Sequence, residues 1–219
     1  FTIPAASWIG IAGPSGCGKT SLINLILRLY EPQQGEIFLD GLNLKGISLT
    51  SLRGGIGIAT QQPFLFDMSI RENISYGLKN VTQDEIKHAA EASCIHDFIQ
   101  VLPYGYDTTI GEDGCYLSQG LKQRIAIARA ILRKPRLLIL DEATSSLDSP
   151  TEEKVFKNLK KLRDGLSTII ISHRLFSIKD CQRIYFLTDG LRIEEGTHAE
   201  LLANVAYRDF FYNQEDAIA

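Results

Sequence analysis

Apolar residues in this chain fall in short runs separated by stretches of helical period, an alternation that predicts an α/β fold. Ser7 to Ala12 is a mostly apolar run entering Gly13-Pro14-Ser15-Gly16-Cys17-Gly18-Lys19-Thr20, after which Leu22, Ile23, Leu25, Ile26 and Leu29 recur at helical spacing. That order reads strand, glycine loop, helix, with Glu31-Pro32-Gln33-Gln34-Gly35 as the breaker. Glu36 to Asp40 reads as a strand, and Gly41 as a turn into a second strand near Ile56 to Ala59. From Thr82 to Val101 the period is helical, opened by Thr82 and Glu85 as a capping box and ended by Pro103-Tyr104-Gly105. A helix from Ser118 puts Ile125, Ala128, Ile131 and Leu132 on one face and closes at Pro135, before the strand Leu137 to Leu140. Ser149-Pro150-Thr151-Glu152 supplies a cap, a proline at the first helical position and a glutamate at the third, starting a helix to about Lys161. Thr168 to Ile171 is the next buried strand. Ile184 to Leu187 and Leu191 to Ile193 flank the hairpin signal Asp189-Gly190, and Thr197 with Glu200 caps a further helix.

Two of these junctions carry chemistry. Residues 13 to 20 match G-x-x-x-x-G-K-T, in which glycines let the backbone wrap phosphates and amides converge on them at a helix N-terminus. Lys19 is placed to reach the β and γ phosphates, and the Thr20 hydroxyl to ligate magnesium. Cys17 lies inside the loop and is oxidisable if exposed. The strand Leu137 to Leu140 ends in Asp141-Glu142, two carboxylates where open α/β sheets hold their ligands. Asp141 suits hydrated magnesium beside Thr20, leaving Glu142 to orient or deprotonate the water that attacks the γ phosphate.

Taken together, these segments resemble the nucleotide-binding domain of ATP-binding-cassette transporters over essentially the whole chain. In that resemblance Gly13 to Thr20 is the Walker A loop, Leu137 to Glu142 Walker B, Leu117-Ser118-Gln119-Gly120-Leu121 the signature segment and Ser145-Ser146-Leu147-Asp148 the D-loop. Gln61 matches the glutamine that senses magnesium and attacking water, and His173 the switch histidine that contacts the γ phosphate. The resemblance implies a P-loop NTPase core with a mixed central sheet, an N-terminal antiparallel β subdomain and an inserted helical subdomain at 75–135, all within one ATPase domain at 1–219. It implies Mg2+ and ATP, with catalytic roles for Glu142, His173, Gln61 and Lys19. Nucleotide contacts would come from Gly13, Pro14, Ser15, Gly16, Cys17, Gly18, Lys19, Thr20 and Ser21, and metal contacts from Thr20, Gln61 and Asp141. Family members work as head-to-tail dimers, so Ser118 and Gly120 would cap nucleotide held by a second nucleotide-binding domain. Leu65 to Ile74 and Thr109 to Gly114 resemble exporters, implying transport through transmembrane domains at the cytoplasmic face of a membrane. The groove for their coupling helices would lie near Gln61 to Ile74, where Phe64, Leu65 and Phe66 suit docking.

The usual signature reads leucine-serine-glycine-glycine-glutamine, and here Gln119 and Leu121 replace the first glycine and the glutamine. A heterodimer with a degenerate site and simple tolerance both explain this. The family's adenine-stacking aromatic would lie upstream of Phe1, and the opening at Phe1 rather than at a methionine suggests a fragment. Composition narrows the competing functions: 23 basic and 26 acidic residues give a net charge of −3, so no global positive field points to nucleic acid. The basic stretches Lys122 to Arg136 and Lys154 to Arg163 read as solvated helix faces, with DNA or anionic lipid as the alternative. A DNA-repair or chromosome-organisation clamp shares the nucleotide motifs but favours long heptads, which are missing. A catalytically weak regulatory domain is the third reading. Cys17, Cys94, Cys115 and Cys181 lack metal-ligand spacing, and His88, His96 and His198 read as helix-surface or packing residues.

Overall fold

The computed structural model describes residues 1–111, 117–162, 165–188 and 192–215. Glu112 to Gly114 of the exporter-like segment, Cys115, Arg163 and the Asp189-Gly190 turn with Leu191 lie outside the described residues. Among those described, the strands are β1 (Trp8–Ala12), β2 (Phe38–Leu39), β3 (Leu42–Asn43), β4 (Ile56–Thr60), β5 (Leu137–Asp141), β6 (Ser167–Ile171), β7 (Arg183–Thr188) and β8 (Arg192–Gly196). The chain divides into two compact units, Phe1–Ile56 with Ser167–Ala219 and Gly57–Leu166.

In the first unit β1 is central, parallel to β6 on one side and β7 on the other, with β8 antiparallel beyond β7. Parallel strands covered on both faces need continuous apolar runs, and Ile9, Ile11, Ile169, Ile171, Ile184 and Phe186 are each at most 1% exposed. The β7–β8 register runs antiparallel from Ile184 with Gly196 to Thr188 with Arg192, as expected of a hairpin. The expected strand at Glu36–Asp40 shrinks to two residues, and it pairs antiparallel with Leu42–Asn43 rather than with the 56–59 segment. The helix after the glycine loop spans Lys19–Ile26 and stops short of Leu29. Arg28 turns left-handed (φ 51°), Arg28 N–H donates to Leu25 O (3.0 Å) and Leu29 N–H to Asn24 O (2.8 Å), a Schellman stop.

In the second unit β4 lies beside β5 in strand order. The helix Gln119–Leu132 buries Gln123, Ile125, Ile127, Ala128 and Ile131. The helix expected over 82–101 is two: Gln83–Ala92, opened by the capping box at Thr82 and Glu85, and His96–Gln100. Cys94 (φ 59°) causes the break: Cys94 N–H donates to Glu91 O (3.0 Å) and Ile95 N–H to Ala90 O (2.9 Å), with Ile95 fully buried as the apolar anchor. The helix Ser149–Lys161 is capped one residue earlier than expected, by Asp148 accepting from Thr151 N–H at 3.0 Å. No helix among the described residues is long and apolar enough to cross a membrane.

Candidate functional site

Three glycines shape the loop that leaves β1. Gly13 (φ 148°), Gly16 (φ 82°) and Gly18 (φ 105°) hold backbone angles that side chains rarely adopt. A Cβ on Gly13 would collide with the Leu187 carbonyl and stand 2.9 Å from Cys17 Sγ, whereas one on Gly16 or Gly18 would meet nothing within 4 Å. Packing therefore requires Gly13, and conformation requires Gly16 and Gly18, whose side of the loop stays open. Gly18 starts the Lys19–Ile26 helix without a side-chain cap, so the first-turn amides keep their donor capacity. Lys19 is 8% exposed. Its ammonium donates to Gly13 O (2.6 Å) and Pro14 O (2.9 Å) and lies 3.8 Å from Cys17 Sγ. The cation is thus desolvated and held against the loop, while Pro14, Ser15, Thr20 and Ser21 are exposed. Cys17 is 5% exposed, so the condition on which its oxidation was expected is not met.

His173 belongs to the same unit. Ile11 pairs with Ile171 across β1 and β6, and Ser172 N–H donates to Ile11 O (3.3 Å). Gly13 and His173, each two residues past that pair, leave the parallel strands at the same end, where α/β sheets bind ligands. The His173 ring is half-buried, 5.7 Å from the Phe210 ring.

The remaining predicted residues sit in the second unit. Asp141 ends β5 and Glu142 follows it at φ 51°, a left-handed conformation that costs a non-glycine residue about 1–3 kcal/mol. Both residues are half-buried. The Glu142 carbonyl accepts from Ser145 N–H (3.2 Å) and, at 3.4 Å, from Gln123 Nε2. Gln123 is fully buried and joins three segments: its amide donates to Gln61 O (2.9 Å) and Ser145 Oγ (3.1 Å), and its Oε1 accepts from Ser146 N–H (3.0 Å). Gln119 Nε2 donates to the same Gln61 carbonyl at 2.8 Å. Ser118 caps the signature helix by accepting from Leu121 N–H (3.3 Å). Gln61, Gln62, Pro63, Gln119, Lys122, Ser145 and Ser146 line a polar cavity of about 490 Å³.

The candidates therefore form two groups, the loop, Lys19, Thr20 and His173 in one unit and Gln61, Ser118, Gly120, Asp141 and Glu142 in the other. Sequence reasoning missed Gln123 as the junction of the second group. Its trace is a polar residue four before Ile127 and eight before Ile131 on a buried stripe. The basic stretch of that helix is only partly a solvated face. Arg124 donates to Cys94 O (2.7 Å), Arg129 to Asn73 O (2.7 Å) and Phe64 O (3.0 Å), and Lys134 to Glu85 Oε1 (2.6 Å). Burial pushes the pKa of both arginines down. In the proposed docking segment Phe64 is 69% exposed but Leu65 only 5%, so Leu65 presents no docking surface. His96 and His198 pack against tyrosine hydroxyls, Tyr106 at 2.9 Å and Tyr207 at 3.0 Å.

A parallel strand, a loop opened by left-handed glycines, a buried lysine on that loop and a second strand ending in two carboxylates define a P-loop nucleoside-triphosphatase fold. A family model described as ABC transporter matches residues 1–145, more than half of the chain. The chain is 47% identical over 216 residues to "ABC transporter B family member 2" of Dictyostelium discoideum, covering 98% of this chain and 16% of that protein. It is 50% identical over 203 residues to "ATP-dependent lipid A-core flippase" of Syntrophus aciditrophicus (strain SB), covering 93% of this chain and 34% of that one. The solved "Structure of a bacterial Atm1-family ABC exporter with ATP bound" superposes with a TM-score of 0.94 at 40% identity, over 98% of this chain and 38% of that chain. This chain belongs to the ABC transporter family. It spans less than two fifths of the length of each of these relatives.

Proposed function

We propose that this chain is the ATP-hydrolysing domain of an exporter-type transporter, at the cytoplasmic face of a membrane, coupled to transmembrane domains and to a second nucleotide-binding domain. The observation that carries the reading is the Gly13–Thr20 loop, open beside Gly16 and Gly18 and carrying a desolvated lysine. Backbone amides from Ser15 to Ser21 and the Lys19 ammonium would bind the triphosphate, with Gly13 and Pro14 shaping the loop, and preorganised donors of this kind are where most of the barrier reduction in phosphoryl transfer arises. The exposed Thr20 hydroxyl, the Asp141 carboxylate and Gln61 are of the hard oxygen-donor type that magnesium takes and would hold it, and the metal would neutralise phosphate charge when bound. Glu142 takes a proton from the attacking water, and His173 and Gln61 hold the γ phosphate and that water in line. Ser118 and Gly120 close over nucleotide held by the second domain. The 40% identity to an exporter solved with ATP bound supports both the nucleotide and the direction of transport.

Steady-state phosphate release with magnesium and ATP tests this reading. We expect release to rise more steeply than linearly with protein concentration, as a two-domain site requires. Glu142→Gln should lower kcat by at least ~100-fold while leaving ATP binding within about twofold. An unchanged rate in Glu142→Gln removes Glu142 from the role of base.

A further inference from the structure

The signature helix touches the Gln61 loop through a side chain that the family pattern does not supply. The Gln61 carbonyl has two lone pairs, and two side-chain amides reach it, Gln119 Nε2 at 2.8 Å and Gln123 Nε2 at 2.9 Å. Residues 119 and 123 are one helical turn apart and face the same way, so the carbonyl is gripped by a single helix face. The two grips differ. Gln123 is fully buried and its orientation is set by Ser146 N–H on its Oε1, which makes it a fixed floor. Gln119 is exposed, at the rim of the cavity that Gln61, Gln62, Lys122, Ser145 and Ser146 also line.

We propose that Gln119 is a positioning residue for Gln61: its side-chain amide completes a two-point clamp on the Gln61 carbonyl, so that the Gln61 loop and the Gln119–Leu132 helix move as one piece. A glycine at 119 leaves one lone pair of the Gln61 carbonyl to water and that carbonyl held by Gln123 alone, with Arg129 on Phe64 O as the helix's next hold on the loop. The tie therefore offsets the departure from the family pattern at position 119, giving the Gln61 carbonyl a second donor from its own subunit. The effect on turnover rests on the proposed role of Gln61 towards magnesium and the attacking water; the tie itself does not.

The test combines amide exchange with kinetics on the full chain and its Gln119→Ala and Gln119→Glu variants. The carboxylate of Gln119→Glu keeps the length but cannot donate, so both substitutions should act alike at neutral pH. Exchange at the Ser146 amide, held by Gln123 Oε1 (3.0 Å), and at the Phe66 amide, held by Asn73 Oδ1 (2.9 Å), should speed up about 2- to 10-fold, the range expected for losing one such hydrogen bond, with the melting temperature unchanged. Phosphate release should show kcat lowered by a similar factor, a higher magnesium concentration at half-maximal rate, and KM for ATP within about twofold. Unchanged exchange in both variants overturns the clamp. Faster exchange with unaltered kcat and magnesium midpoint overturns the positioning role. Faster exchange in a chain whose unsubstituted form releases no phosphate supports the clamp and overturns the ATPase reading instead.

Discussion

Gly120 and Ser146 approach so closely that a methyl group on Gly120 would stand 2.8 Å from the Ser146 carbonyl oxygen and 3.3 Å from Leu147 Cδ2. The nearest obstacle is backbone, so it cannot swing aside like the end of a flexible side chain. Two opposed effects meet in Gly120→Ala: alanine gains about 1 kcal/mol of helix propensity, and overpacking against backbone costs about 1–3 kcal/mol. We expect a net loss of about 1 kcal/mol in urea denaturation. We also expect a fall in phosphate release larger than that loss explains, because the 145–147 turn must shift and its Ser145 and Ser146 both hold Gln123. A variant as stable and as active as the parent would show that the contact is not tight in solution.

The Thr144 hydroxyl donates a hydrogen bond to Glu152 Oε1 (2.7 Å), and both residues are buried. The bond ties the segment after Glu142 to the start of the Ser149–Lys161 helix. Thr144→Val keeps the shape and removes the donor to a buried carboxylate, for which about 1.5–3 kcal/mol is expected. Chemical denaturation of Thr144→Val, with Thr144→Ser as the variant that restores the hydroxyl, measures it. No loss in Thr144→Val beside a loss in Thr144→Ser would assign the effect to methyl packing rather than to the hydrogen bond.

Much of the architecture is legible in the chain because its cause is local. β1, β5 and β6 are apolar runs of strand length, and their observed bounds differ from expectation by a residue or so. The capping boxes at Thr82 and Thr197 are both formed, since each needs only a residue and its neighbour three positions on. The helix breaks at Arg28 and Cys94 were not legible, because the usual left-handed residue at such a stop is glycine or asparagine and neither position has one. What holds them is tertiary: Arg28 Nη1 donates to Leu44 O (2.9 Å) and Ile47 O (2.7 Å), and Ile95 is fully buried. The candidate site divides in the same way. Glycines and carboxylates announce themselves by spacing, whereas Gln123 is recognisable only once the partners it joins, far apart in sequence, are in place.

Glu85 is both the third residue of a capping box and the partner of Lys134, whose ammonium lies 2.6 Å from its Oε1. The Lys134 bond first, then the Thr82 amide and hydroxyl, lower its pKa from the usual 4.5 to about 2. A carboxylate with a depressed folded pKa stabilises above its unfolded value and loses that contribution as pH falls through the folded one. The contribution of Glu85 is therefore complete above about pH 4.5 and disappears between there and about pH 2. Lys134 is exposed and Glu85 partly so, so the effect should be salt-sensitive and small. Carboxyl NMR titration checks it: the Glu85 midpoint should lie near 2 and climb towards 4.5 in Lys134→Met. A midpoint that ignores Lys134→Met would leave the cap alone responsible.

Asn73 is fully buried, and it is the side chain on which the segment from Phe64 to Ser69 hangs. Its Oδ1 accepts from Phe66 N–H (2.9 Å) and Arg129 Nη2 (3.0 Å), and its Nδ2 faces the carbonyls of Phe66 (3.0 Å), Ser69 (3.1 Å) and Met68 (3.3 Å). Arg129 adds Nε to Asn73 O and Nη1 to Phe64 O, and its guanidinium carbon stands 5.8 Å from the Phe66 ring centre and 5.9 Å from that of Tyr76. Phe66 and Tyr76 stack at 4.1 Å. Asn73→Ala leaves several backbone groups to find water, at about 1–3 kcal/mol for each that fails, so a loss near 3 kcal/mol is expected in urea denaturation. Arg129→Lys keeps the charge but a single ammonium cannot reproduce the three-way fork. It should preserve the fold, weaken the near-ultraviolet signal of the Phe66–Tyr76 stack, and expose the Phe64 loop to protease. An Asn73→Ala protein within ~0.5 kcal/mol of the parent would mean that the loop is held by its aromatic contacts, and Phe66→Leu should then be the more damaging change.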